Sequence, residues 1–154
     1  MTKVDSEKLR ETQVFTPAWV TNAMLDMLDQ DVFTSQESYF FEPSCGDGQM
    51  LVVLLDRIFE ALFKKYDSDP DKALADTLHK FFAIELDETL VAKARMRVYE
   101  WAVAKLDRSP TELEAYLIAR AIQQNLECED FFNIFGKPER QPIKRKLMKG
   151  SEGK

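Results

Sequence analysis

The chain has 154 residues, 45% hydrophobic and 31% charged, which is enough for one domain with a real core and ordinary for a soluble globular protein. No run of about 18 apolar residues occurs, and the charged start Met1-Thr2-Lys3-Val4-Asp5 lacks the apolar centre of a secretory signal, so neither a membrane span nor export is expected and a cytoplasmic protein is. The net charge of −6 hides an asymmetry: residues 137–154 hold seven Lys/Arg and two Asp/Glu, and the other 136 residues hold 14 and 25, a poor nucleic-acid surface.

Residues 1–12 are polar and expected to be a flexible N-terminus, 13–136 form the domain, and 137–154 form a basic tail. The tail reads as a disordered, solvated end, with phosphate contact as its alternative. Thr16 is a good N-cap and Pro17 suits the first helical position, so a helix is predicted over 17–29. Val20, Ala23, Met24, Met27 and Leu28 would form its buried face, with Trp19 packed between helices. Tyr39 to Glu42 reads as a short buried strand. A helix over 49–66 buries Leu51, Leu54, Leu55, Ile58 and Leu62. The run Asp67-Ser68-Asp69-Pro70 breaks it, and a short helix follows near 71–79. Phe81 to Glu85 is a second buried strand. Asp87 caps a helix to about Leu106, with Leu90, Ala94, Val98, Trp101 and Ala102 as its apolar stripe. Ser109-Pro110-Thr111-Glu112 reads as a capping box opening a helix over 110–124. Leu126-Glu127-Cys128 is a weak third strand. Strands separated by helices imply an α/β fold, a partial Rossmann-like arrangement with a mainly parallel sheet flanked by helices.

The chemistry gathers at the strand ends. Glu42, Glu85 and Asp130 stand at or just past the three strands, and strand ends of a parallel sheet share one rim. Carboxylates there accept hydrogen bonds from hydroxyl, amino or ammonium groups; the alternative is that they cap the helices that follow. Gly46-Asp47-Gly48 forms a turn in which a missing Cβ would admit a ligand, with Asp47 read as a turn or cap residue. Phe131 and Phe132 are either core residues or a ring platform. Neither phosphate-loop pattern, GxGxxG or GxxxxGK[ST], is present. A ligand with a ribose and a positive centre, and no polyphosphate, fits this acidic balance; S-adenosylmethionine has those properties. The two cysteines and the single His79 have no metal-ligand spacing, so no metal is expected.

The run Phe41-Glu42-Pro43-Ser44-Cys45-Gly46-Asp47-Gly48-Gln49-Met50-Leu51 resembles the first motif of adenine-N6 DNA methyltransferases. Gln13-Val14-Phe15-Thr16-Pro17 is similar to the motif before it, whose Thr-Pro turn meets the methionine end of the cofactor. Ile84-Glu85-Leu86-Asp87 resembles the second motif, with its ribose-binding acid. Asn125 to Phe132 resembles the third, whose Asp takes the adenine amino group while the next aromatic, here Phe131, packs on the ring. The resemblance covers most of residues 13–132, in family order. It implies a methyltransferase-type fold binding S-adenosylmethionine through Phe15, Thr16, Pro17, Glu42, Pro43, Ser44, Cys45, Gly46, Gly48, Glu85, Leu86, Asp130 and Phe131.

The family's catalytic Asn/Asp-Pro-Pro-aromatic motif is absent. No two of the six prolines are adjacent, and Gly136-Lys137-Pro138-Glu139-Arg140 carries cations where an acceptor and a ring are needed. No catalytic residue is therefore assigned, and no segment is left for target recognition. The chain reads as the cofactor-binding part of a restriction-modification type enzyme, inactive alone. A second chain would complete it, or the chain would self-associate through the open edge of its first strand, and DNA would be met through the partner or the basic tail. The alternative is a non-catalytic S-adenosylmethionine-binding regulator or decoy of a methylation system.

Overall fold

In the computed structural model, which describes residues 16–137, three short strands pair in parallel and in sequence order: β1 (Phe40–Glu42), β2 (Phe81–Glu85) and β3 (Leu126–Cys128). Phe40 lies opposite Phe81, Ala83 opposite Leu126, and Glu85 opposite Cys128. Parallel neighbours need long crossovers. These are α2 (Gln49–Lys65) and α3 (Pro70–His79) between β1 and β2, then α4 (Glu88–Lys105) and α5 (Glu112–Asn125) between β2 and β3. Before the sheet come α1 (Ala18–Asp26) and a 3-10 turn (Gln30–Phe33); α6 (Phe131–Phe135) follows it. The expected α/β fold with a parallel sheet is present, and no helix among the described residues is long and apolar enough to cross a membrane.

Local chemistry explains the boundaries. Asp67 and Ser68 take positive φ and end α2, then Asp69 accepts the Lys72 N–H at 3.0 Å and Pro70 opens α3. Asp87 caps α4 through the Thr89 N–H at 2.8 Å, as expected. The capping box of α5 differs from expectation. Thr111, not Ser109, is the N-cap, and Glu114 reaches back to the Thr111 N–H at 2.7 Å. Ser109–Glu112 and Thr111–Glu114 both have the three-residue spacing of a box, and the reciprocal bonds form in the second pair. Arg108 also grips Glu114, and together these contacts hold its carboxyl down to about 2.

The core lies between the sheet and the crossover helices. Leu51, Leu55, Ile58 and Leu62 of α2 meet Ala94, Val98 and Ala102 of α4, all fully buried or nearly so. Each large side chain removed from water stabilises the fold by ~1.5–3 kcal/mol. Trp101 bridges α4 and α2, donating to Asp56 at 3.1 Å and meeting Phe59 edge-on. The unanticipated 3-10 turn seats Phe33 in the core against Phe40, with ring centroids 5.5 Å apart.

The first helix departs most from its reading. It begins one residue later than the Thr16-Pro17 pattern implies, with Pro17 itself as N-cap in extended backbone, and it ends at Asp26. It buries Thr21 and Leu25 instead of Val20, Ala23, Met24, Met27 and Leu28. Trp19 is 74% exposed, not packed between helices. The helix is apolar on several sides, so periodicity does not select a face. Nor is β1 the buried strand expected from its sequence. Tyr39 falls outside it, and Phe41 is 40% exposed because β1 is an edge strand.

Alternation separates two sheet faces. Phe40, Phe81, Ala83 and Leu126 belong to the main core. Phe41 points to the other face, stacks on Phe82 at 5.8 Å, and meets Phe135 of α6 at 5.4 Å. This second face is covered in part: Ile84 is fully buried, yet Phe131, Phe132, Ile134 and Phe135 remain exposed.

Candidate functional site

The parallel register brings the ends of β1, β2 and β3 to one rim, with Glu42, Glu85 and Asp130 at or just after them. The segment after β1 is tied to β2. The Cys45 N–H donates to the Ile84 carbonyl at 3.0 Å, and the Gly46 N–H donates to Glu85 Oε2 at 3.0 Å. Glu85 Oε1 accepts the Leu86 and Asp87 N–H groups at 2.8 and 3.0 Å. The Glu85 carbonyl accepts the Glu129 N–H at 3.1 Å, so the three segments leaving the sheet meet at this residue. With 9% exposure, Glu85 first organises the rim. Three backbone donors leave its carboxylate with spare acceptor capacity, since two oxygens offer about four lone-pair sites.

The glycine turn has two separate requirements. Gly46 has φ of 57° and Gly48 of 86°, backbone that favours glycine. A Cβ on Gly48 would lie 3.0 Å from Ala94 Cα and 3.1 Å from its Cβ. The space that the sequence reading reserves for a ligand at Gly48 is therefore taken by α4, and the close approach is helix packing. Asp47 acts as the turn residue expected of it: Oδ1 accepts the Gln49 N–H at 3.3 Å. Its Oδ2 takes Arg97 at 2.8 Å and the Gln49 amide at 3.2 Å. Arg97 is a positioning residue that sequence reasoning missed, because nothing local links two residues fifty positions apart.

The other carboxylates are less committed. Glu42 Oε1 accepts the Ser44 N–H at 3.0 Å, and burial raises its carboxyl above the usual range. Asp130 Oδ1 caps α6 through the Phe132 N–H at 2.9 Å. Glu42 Oε2 and Asp130 Oδ2 carry no hydrogen bond among the described residues. Asp130 thus performs the capping role that was its alternative reading, with its second oxygen uncommitted among the described residues. Burial, then the charges of Glu85 and Glu42, push the Cys45 thiol up to about 12, so it is a packing residue and not a nucleophile.

Of the remaining candidates, Pro43 and Ser44 are exposed beside the turn. Leu86 is also exposed, and its carbonyl accepts Cys128 Sγ at 3.6 Å. Phe131 stacks on Phe135 at 4.7 Å and on Phe41 at 6.4 Å, neither buried core nor an isolated platform. Thr16 and Pro17 precede α1, and no hydrogen bond among the described residues joins them to the rim. Phe15 lies outside the described residues, as do residues 1–12 and the tail beyond Lys137. The cavities of 450 Å³ between α3 and α5 and 780 Å³ beside α2 are lined by none of these candidates. No protein-family model, curated protein or solved structure matches the chain.

Proposed function

We propose that this chain is the S-adenosylmethionine-binding part of a DNA adenine-N6 methyltransferase, inactive alone and completed by a polypeptide that carries the Asn/Asp-Pro-Pro-aromatic motif. One observation carries the reading: three carboxylates stand at or just past adjacent parallel strand ends, Glu85 among them bonded to the glycine turn, and each keeps an acceptor site among the described residues. The cofactor's chemistry fits that donor set. Its ribose hydroxyls, adenine amino group and ammonium are donors, and its sulfonium is a cation that acidic groups favour. Glu85 would hold the ribose hydroxyls and Asp130 the adenine amino group. Phe131 would offer ring surface, and Glu42, half-buried beside the turn, suits the ammonium end. When bound, the cofactor supplies an electrophilic methyl group. This chain orients it, and the acceptor-holding groups come from elsewhere.

Among the described residues the second face of the sheet is only partly covered, with Phe131, Phe132, Ile134 and Phe135 exposed, which suits a chain completed by another polypeptide. Calorimetric titration of S-adenosylmethionine into wild type and Asp130→Ala tests the ligand. Binding by wild type, weakened at least tenfold in the variant, is expected. No binding by wild type overturns the assignment.

A further inference from the structure

α5 carries more apolar surface than its packing uses. Its inner face is supplied by Ile118 and Ile122, both buried. Leu113, Tyr116 and Leu117 stand on its outer side, at the i, i+3 and i+4 spacing of neighbours on a helix, and are 66%, 59% and 50% exposed. A surface helix needs one apolar stripe, and this one has two. Leu117 also walls the 450 Å³ cavity with Leu74 and Leu78 of α3, so the apolar surface continues onto the neighbouring helix.

The charges around the outer stripe are of two kinds. Arg108 is satisfied within the chain, donating to Asp71 at 2.6 Å and to Glu114 at 2.7 and 2.9 Å. Glu112 and Arg120 are exposed and have no hydrogen bond or ion pair among the described residues. They stand four residues before and four after Tyr116, on one ridge of the helix. Eight residues span about 12 Å along a helix, too far for the two to pair within one copy. A two-fold axis beside Tyr116 sets each Glu112 opposite the Arg120 of a second copy, with the two helices antiparallel. The same axis interleaves Leu113 and Leu117 of both copies in one row. The stripe therefore matches itself in charge and in apolar surface, as an isologous contact requires, and this symmetry selects a second copy over an unrelated helix. Each copy carries a net charge of −6, yet Glu112 and Arg120 cancel at this surface.

We propose that α5 forms the contact of a two-fold homodimer, with Leu113, Tyr116 and Leu117 at its centre and Glu112 paired with Arg120 of the second copy. α5 packs beside β2 and β3, so this surface is separate from the outer edge of β1. The inference goes beyond the cofactor reading and does not rest on it.

Sedimentation velocity of the full chain is the test, with circular dichroism to check folding. A monomer–dimer equilibrium is expected between ~5 and ~200 µM at ~150 mM NaCl, as for a small contact. Arg120→Glu and Glu112→Arg each put two like-charge pairs into the contact, and each should weaken it at least about tenfold. Mixed together, the two variants should form a heterodimer, because opposite charges face each other again. The double variant Glu112→Arg/Arg120→Glu should regain dimerisation for the same reason. Leu113→Gln, at an exposed position, should weaken the dimer severalfold and serves if a charge variant misfolds. A monomer throughout the range, a dimer that the charge reversals and Leu113→Gln leave unchanged, or single variants that neither mixing nor the double variant rescues would each overturn the inference.

Discussion

Gly48→Ala should destabilise the fold through two separable effects. The first is backbone: φ of 86° and ψ of 8° lie in left-handed space, where an L side chain costs about 1–2 kcal/mol. The second is steric. The new Cβ would meet Ala94 Cα at 3.0 Å, on the fully buried face of an 18-residue helix that cannot swing aside. Overpacking of this kind costs about 1–3 kcal/mol. The total of about 2–5 kcal/mol is a large part of the ~5–15 kcal/mol typical of a domain. With a urea slope of ~2 kcal/mol/M, the midpoint should fall by about 1–2.5 M, read by circular dichroism. Adding Ala94→Gly removes the neighbouring methyl, 3.1 Å from the new one, and should return at least ~0.5 kcal/mol as coupling in a double-mutant cycle. Recovery stays incomplete because the Ala94 Cα remains. A loss under ~1 kcal/mol, or additivity within ~0.3 kcal/mol, refutes the close-approach reasoning and returns Gly48 to a ligand-facing role.

Glu85→Gln leaves one oxygen for backbone donors on both sides of the carboxylate and turns an NH₂ toward at least one of them. It should cost about 1–3 kcal/mol and speed amide exchange at Gly46, Leu86 and Asp87; unchanged exchange at all three would argue against the Glu85 hub. Thr111→Ala removes the cap of α5 and should cost ~1 kcal/mol in a thermal melt, while Ser109→Ala stays within ~0.3 kcal/mol; equal effects would contradict the observed box. At about pH 8 a thiol reagent should label exposed Cys128 and spare Cys45 until denaturant is added, and rapid native labelling of Cys45 would contradict its burial. The Cys45 thiol titrates near 9 when unfolded and at about 12 when folded, so the folded state holds its proton longer. Its contribution to stability is therefore intact below pH 9 and lost as pH rises from 9 to 12.

The long helices were legible because their length and their caps mark them, and in α2 the apolar stripe is also strongly periodic. Ala94, Val98 and Ala102 stand on the buried face of α4 as read, and Leu51, Leu55, Ile58 and Leu62 do so in α2. α1 was not legible in this way. In its nine residues Trp19, Met24 and Leu25 point different ways, and the neighbouring α2 decides that Leu25 and Thr21 go inside. Thr21 tolerates burial because its hydroxyl reaches the Pro17 carbonyl at 3.5 Å.

By itself the sequence determined the alternation of strands and helices, hence a parallel sheet, hence a shared rim for Glu42, Glu85 and Asp130. These follow from local patterns and from the chirality of crossovers. The tertiary structure decided what each group does there. Glu85 gathers three backbone donors, Gly48 yields its space to Ala94, Arg97 holds Asp47, and the aromatic face of β1 remains open. All but the short bonds from Leu86 and Asp87 are long-range contacts, set by how the elements pack. Local sequence carries no signal for a partner forty or fifty residues away.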